Sequence, residues 1–234
     1  MPKGQPKQLI KSIQSIFYSL SGETTSMGAR TLFIRCKGCN LRCSYCDTSY
    51  AWNVQPINEV NLEDELPKML EGKNIRYVVL TGGEPLLQFS GFDILLLSDL
   101  IIKYNPETIL QIETNGSITI PKPMKIKQLR RIEYVMDVKL PSSGMFDKMN
   151  LDNLKLLSTH DQVKFVIGSH EDLDVALDIC KKYDIKCRNI WFSPVYGEFN
   201  AKYLWNVITD IPDDRLRMQI QLHKTVFGQV DFEV

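Results

Sequence analysis

The sequence has no long hydrophobic run. Its most apolar stretch, FDILLLSDLII at 92–102, is interrupted by Ser98 and Asp99 and falls short of the ~18 consecutive apolar residues of a membrane helix. The opening MPKGQPKQLIKSIQ has neither an extended apolar segment nor the small-residue cleavage site of a secretory leader. An excess of either charge is also missing. Twenty-eight basic residues balance 28 acidic ones, which argues against general binding to nucleic acid or to a membrane surface. Cysteine is scarce, at six in 234 residues, too few to staple a disulfide scaffold. What remains is a cytoplasmic protein whose partner is a small molecule. With 44% hydrophobic side chains and a length that buries about 70% of the unfolded surface, residues 1–234 read as one domain.

What is present is alternation. Short β-branched runs follow segments of helical spacing, the pattern of a parallel sheet with crossover helices. Strands are predicted at 31–36, 76–82, 108–114, 133–140, 162–168, 189–195 and 218–223, and helices near 62–71, 91–104, 147–157, 170–183 and 200–209. A closed eight-unit barrel typically needs about 250 residues, and here 30 residues precede the first predicted strand. The expected fold is therefore α/β, a partial (open) parallel β/α barrel of about six to seven strands with an N-terminal extension.

Ligands of such sheets sit at the carboxyl ends of the strands, and polar residues collect there in this sequence. Arg35 and the cysteines follow the first strand, Thr81-Gly82-Gly83-Glu84 the second, and Glu113-Thr114-Asn115 the third. Asp137 and Lys139 close the fourth, Ser193-Pro194 the sixth, and His223-Lys224 the last.

Four of the six cysteines fall within CKGCNLRCSYCD, at 36, 39, 43 and 46. As two CxxC pairs they would form a zinc site, but zinc ribbons separate their pairs by roughly 12 to 20 residues, far more than here. Alternatively Cys39, Cys43 and Cys46 form a CxxxCxxC loop that holds three irons of a [4Fe–4S] cluster, thiolate being the ligand suited to iron–sulfur, with Cys36 a packed thiol. Three ligands leave one iron open to the amino and carboxylate groups of S-adenosylmethionine. With Tyr45 before the last cysteine, this loop resembles the radical S-adenosylmethionine superfamily. VVLTGGEPLLQ, a strand followed by two glycines and an acid, resembles the superfamily's Gly-Gly-Glu motif, in which Gly83 and Glu84 meet the methionine amino group.

Longer strings narrow the likeness. IFYSLSGETTSMGARTLFIRCKGCNLRCSYCDTSYAW, GGEPLLQ, ETNG, DVKLPSSGM, SPVYG and QLHK resemble the 7-carboxy-7-deazaguanine synthase family over most of the chain. The resemblance implies conversion of 6-carboxy-5,6,7,8-tetrahydropterin to 7-carboxy-7-deazaguanine, a step in 7-deazapurine (queuosine-type) biosynthesis. It also implies Mg²⁺, flavodoxin or ferredoxin as reductant, and a homodimer.

By the same likeness, Arg35 and His223 meet the substrate carboxylate and Glu23 reads the pterin's amino edge. The backbone of Leu20, Ser21 and Gly22 surrounds that edge, and Thr81 is a further substrate contact. Thr48 helps hold Mg²⁺. Tyr45, Cys46 and Asp47 flank the adenine of S-adenosylmethionine, and Glu113, Asp137, Lys139 and Ser193 its ribose and carboxylate. The family pattern Gln-Gly-Glu-Gly is here Ser21-Gly22-Glu23-Thr24, which alters one side-chain contact and one flexible backbone position. Two rival readings are a glycyl-radical activating enzyme, which would need an open peptide groove, and a zinc-binding module.

Overall fold

Residues two apart along each parallel strand share a face, and in this chain one face is apolar while the other is largely polar. The structure, a computed structural model, describes residues 9–121 and 131–228. Among these residues nine strands form one sheet: β1 (Ile10–Leu20), β2 (Arg30–Cys36), β3 (Glu59–Asn61), β4 (Tyr77–Gly82), β5 (Ile109–Thr114), β6 (Ile132–Val138), β7 (Gln162–Ile167), β8 (Asn189–Pro194) and β9 (Leu216–Met218). Their spatial order is β3-β1-β2-β4-β5-β6-β7-β8-β9. β1 runs antiparallel to β2 and β3, and every neighbouring pair from β2 to β9 is parallel. The sheet stays open, with β3 and β9 at its edges.

Among the described residues there are five α-helices, α1 (Leu62–Leu70), α2 (Gly91–Ile102), α3 (His170–Lys182) and α4 (Ala201–Thr209) between strands and α5 (Leu222–Phe227) after the last one. Side chains of Asn61, Ser90, Ser169 and Asn200 accept from the first-turn N–H groups of α1 to α4, each such cap contributing about 1 kcal/mol. None of the helices among the described residues is long and apolar enough to cross a membrane.

The apolar face carries Leu32, Ile34 and Cys36 of β2, Leu80 of β4, Ile112 of β5, Met136 of β6, Phe165 of β7 and Phe192 of β8. With Leu66, Ile94, Leu97, Ala176 and Leu204 of the helices they make one buried core, each large side chain contributing roughly 1.5–3 kcal/mol. Cys36 belongs to this core and is fully buried.

The opposite face forms two polar layers. The deeper one is a plug. Gln111 and Gln162 each donate to Thr25 Oγ1 (3.0 and 2.8 Å) and to Glu133 Oε2 (3.1 and 3.2 Å), and Trp191 Nε1 donates to Gln162 Oε1 at 2.7 Å. The layer nearer the carboxyl ends holds Thr81, Glu113, Asp137 and Lys164, and these line a cavity.

Three expectations need correction. The 30 residues ahead of the first predicted strand are not strand-free, since β1 fills 11 of them. The predicted last strand at 218–223 is instead β9 at Leu216–Met218, after which the chain turns into α5. The predicted helix at 147–157 is a pair of 3-10 turns, Phe146–Lys148 and Leu151–Lys155. There the Asn153 side chain donates to the carbonyls of Gly116 (2.9 Å) and Ile118 (2.8 Å) and accepts from Ile120 N (2.9 Å), which ties the turns to the segment after β5.

Candidate active site

The cysteine loop is held by backbone contacts that only glycine permits. Gly82, at the end of β4, has φ +115°, and a Cβ there would lie 2.4 Å from the backbone of Cys36; one on Gly83 would lie 2.0 Å from Gly38 O. Without side chains in the way, Gly83 N donates to Cys36 O (3.0 Å) and Glu84 N to Gly38 O (2.7 Å). The two glycines thus bring β4 against the loop itself.

Glu84 extends this fastening. Fully buried, it accepts from Leu86 N (2.9 Å), Thr114 Oγ1 (2.9 Å) and Asn115 N (2.7 Å). Burial nevertheless raises its pKa above the usual carboxylate value. From the other side, Ser44 donates through N to Ser143 O (3.1 Å) and through Oγ to Ser142 O (2.7 Å). Buried Asp172 fixes that turn by accepting from Ser142 N at 2.9 Å and Gly168 N at 2.8 Å.

Cys39, Cys43 and Cys46 all line the same cavity, of about 230 Å³, whereas Cys36 lies on the core face of β2. Nitrogen donors point at two of the sulfurs. Cys39 Sγ accepts from Leu41 N (3.4 Å) and Asn115 Nδ2 (3.8 Å), and Cys46 Sγ from Trp52 Nε1 at 3.2 Å. Burial raises the pKa of Cys39 and pushes that of Cys43 up to about 11, so a bound cation is needed to hold them as thiolates. Among the described residues no group of three His, Cys, Asp or Glu side chains converges as ligands of a single metal ion. A trio of cavity-facing cysteines, two of them with N–H donors on their sulfurs, suits a thiolate-bound cluster.

Across the cavity lies a chain of buried charges. Lys139 Nζ is 3.0 Å from Asp137 Oδ2, and Lys164 Nζ is 3.1 Å from the same oxygen and 2.7 Å from Glu23 Oε2. Thr81 Oγ1 donates to Glu113 Oε2 at 2.6 Å. Burial alone would raise the pKa of Asp137, but the two lysines more than offset it and hold the carboxyl below its usual value. Glu113 is raised by burial, only partly opposed by Lys164.

Arg35 stacks against Phe17 and Tyr50, with its guanidinium carbon 5.5 and 5.9 Å from the ring centres. Its Nε is buried with no hydrogen-bond partner among the described residues. His223, in the first turn of α5, lies against Gly22, and burial lowers its pKa despite nearby Glu23 and Asp47.

The structure brings together nearly all of the sequence-predicted residues. Leu20, Ser21, Gly22, Glu23, Arg35, Cys39, Cys43, Tyr45, Cys46, Asp47, Thr48, Thr81, Gly83, Glu113, Asp137, Lys139 and His223 line one cavity. Glu84 and Ser193 do not; both are buried behind its wall. Ser21 Oγ is engaged within its own turn, 2.7 Å from Ser26 Oγ. Lys164 was missed, although an ionisable residue inside the otherwise uncharged QVKFVIG strand is itself a signal.

An open parallel β/α sheet with a three-cysteine loop over the ends of its strands defines the radical S-adenosylmethionine class. Residues 33–211 match the model of the Radical SAM superfamily. The chain is 35% identical over 213 residues to the 7-carboxy-7-deazaguanine synthase of Clostridium acetobutylicum, covering 91% of this chain and 94% of that protein. It is 38% identical over 218 residues to the synthase of Methanospirillum hungatei, covering 92% and 84%. The chain belongs to the 7-carboxy-7-deazaguanine synthase family of that superfamily. In fold it is similar to the crystal structure of QueE from Escherichia coli, with a TM-score of 0.68, 22% identity, and coverage of 92% of this chain and 95% of that one.

Proposed function

We propose that this chain converts 6-carboxy-5,6,7,8-tetrahydropterin to 7-carboxy-7-deazaguanine, with residues 1–234 acting as one catalytic domain. The observation that carries the reading is a single cavity shared by Cys39, Cys43 and Cys46 with Glu23, Arg35, Thr81 and His223. Cys39, Cys43 and Cys46 would hold a [4Fe–4S] cluster with one iron open to S-adenosylmethionine, and the pair, when bound, would supply the radical hydrogen abstraction at C6 of the substrate that ring contraction with loss of ammonia requires.

The protein's part is binding and orientation. Arg35, whose Nε has no hydrogen-bond partner among the described residues, presents its fork of N–H donors to the substrate carboxylate, and neutral His223 adds a hydrogen bond beside it. Glu23 accepts from the pterin's amino edge, framed by the backbone of Leu20 to Gly22, while Thr81 supports the ring. The Thr48 hydroxyl, whose one hydrogen-bond partner among the described residues is Cys46 Sγ at 3.7 Å, has a lone pair for Mg²⁺, which takes few protein oxygens and keeps its waters. Tyr45, Cys46, Asp47 and Gly83 receive the adenine and methionine portions of S-adenosylmethionine, and Glu113, Asp137 and Lys139 its ribose and carboxylate. Glu84 and Ser193 act from behind the wall, Glu84 by fixing the ends of β4 and β5. Flavodoxin or ferredoxin as reductant, a homodimer and a cytoplasmic location complete the reading and are supported by family resemblance.

Anaerobic incubation of the reconstituted enzyme with reductant, S-adenosylmethionine, Mg²⁺ and the carboxytetrahydropterin tests it. Formation of the deazaguanine is expected. Cofactor cleavage without that product would redirect the assignment to another radical reaction, such as activation of a glycyl-radical enzyme.

A further inference from the structure

Lys164 lies in a strand buried along its whole length and is itself 8% exposed. An ammonium in such a place is unfavourable unless paired, and a buried ion pair as a whole adds little to stability compared with apolar packing. Its presence calls for another reason. The pairing is specific: one nitrogen meets Oε2 of Glu23, which is 141 residues away in sequence, and Oδ2 of Asp137 on the adjacent strand. The other two oxygens, Glu23 Oε1 and Asp137 Oδ1, are buried and have no hydrogen-bond partner among the described residues. Both side chains line the cavity. Each carboxylate therefore has one oxygen engaged by Lys164 and one left to receive a ligand.

We propose that Lys164 is the positioning residue that joins the two halves of the site, fixing Glu23 for the pterin and Asp137 for S-adenosylmethionine through a single ammonium. The proposal rests on the preceding assignment of those two carboxylates. Glu113, which also faces this cluster and Glu23, gives the lysine a second task. Without it Glu23, Glu113 and Asp137 share the cavity with a fourth acid, Asp47, which pairs with Lys224, and Lys139, Arg35 and His223 are the other basic groups lining it. Like-charge repulsion then drives the acids apart or leaves them protonated, and either outcome removes an ordered acceptor.

The test is a double-mutant cycle read by equilibrium binding, in anaerobic calorimetry of reconstituted enzyme of verified iron content. Glu23→Gln is expected to weaken the carboxytetrahydropterin alone, and Asp137→Asn S-adenosylmethionine alone. Lys164→Met is expected to weaken both, each by about tenfold or more, as for loss of a charge-assisted contact. With Glu23→Gln already present, Lys164→Met should cost the pterin little more, because the lysine acts on that ligand through Glu23.

Loss of affinity for only one ligand in Lys164→Met, or losses that multiply in the double variant, would overturn the proposal. If Glu23→Gln weakens the pterin and Lys164→Met does not, the lysine's role fails and the site assignment survives. If Glu23→Gln binds the pterin as the wild type does, the assignment fails and the proposal with it. Should Lys164→Met not yield folded, cluster-bearing protein, Lys164→Gln takes its place with the same expectations.

Discussion

His223 occupies the space that a side chain on Gly22 would need. A Cβ built on Gly22 would stand 2.0 Å from His223 Nδ1, while Gly22 O accepts from Leu222 N at 3.0 Å. The turn after β1 and the first turn of α5 are fitted together through an atom that glycine lacks.

Gly22→Ala should accordingly push the imidazole out of place while leaving the cysteine loop untouched. Affinity for the carboxytetrahydropterin is expected to fall on the order of tenfold, the value of one hydrogen bond to a charged group, with iron content and S-adenosylmethionine binding unchanged. Calorimetry with each ligand reads the difference, and equal losses for both would contradict it.

The cysteines divide by the face of the sheet on which they lie. Cys43→Ala should abolish cluster assembly. Cys36→Ala, in the core between sheet and helices, should keep iron and sulfide at wild-type levels and lose roughly 1–2 kcal/mol of stability from the cavity it leaves. Metal and sulfide assays with denaturant unfolding separate the two. A Cys36→Ala protein without iron would mean that the ligands are misassigned.

His223 predicts a pH dependence of stability. Its pKa in the folded protein lies below the ordinary 6.5, so between the two values the unfolded chain binds a proton that the folded chain does not. Its contribution is present above pH 6.5 and is lost as pH falls through the lowered folded value. Thermal unfolding from pH 7.5 downward should show this loss in the wild type and a flatter profile in His223→Gln. Parallel profiles would assign the loss to other groups.

Thr24 has φ +62°, in the left-handed region, at the position where the family pattern has glycine. A β-branched residue there is held at a cost of about 1–2 kcal/mol. Glycine relieves most of it, so Thr24→Gly is expected to raise stability by roughly 1 kcal/mol after the entropy of the unfolded glycine is counted. Urea unfolding measures it, and a loss of stability would show that the buried threonine side chain outweighs the strain.

Six of the seven predicted strands and four of the five predicted helices were legible because buried parallel strands write themselves as short apolar runs between capped amphipathic segments. β1 was not legible, because its isoleucines fall at 10, 13 and 16 and a bulge shifts the register between Ile13 and Ser15, which erases the period of two. MQIQLH misled in the opposite direction. It alternates like a strand, yet β9 pairs with β8 only at Ile190, Trp191 and Phe192, and the chain then leaves the sheet to reach Gly22. The cavity-lining residues could be named from strand ends and family strings. The withdrawal of Glu84 and Ser193 could not, since which side of a wall a side chain occupies is decided by contacts between segments far apart in sequence.

The plug of Thr25, Gln111, Glu133, Gln162 and Trp191 turns the site into a dead-end well. The plug's donors and acceptors are already engaged with one another, so the acids of the layer above are backed by bonded protein groups and not by mobile solvent, and their free oxygens are left to whatever enters from the strand ends.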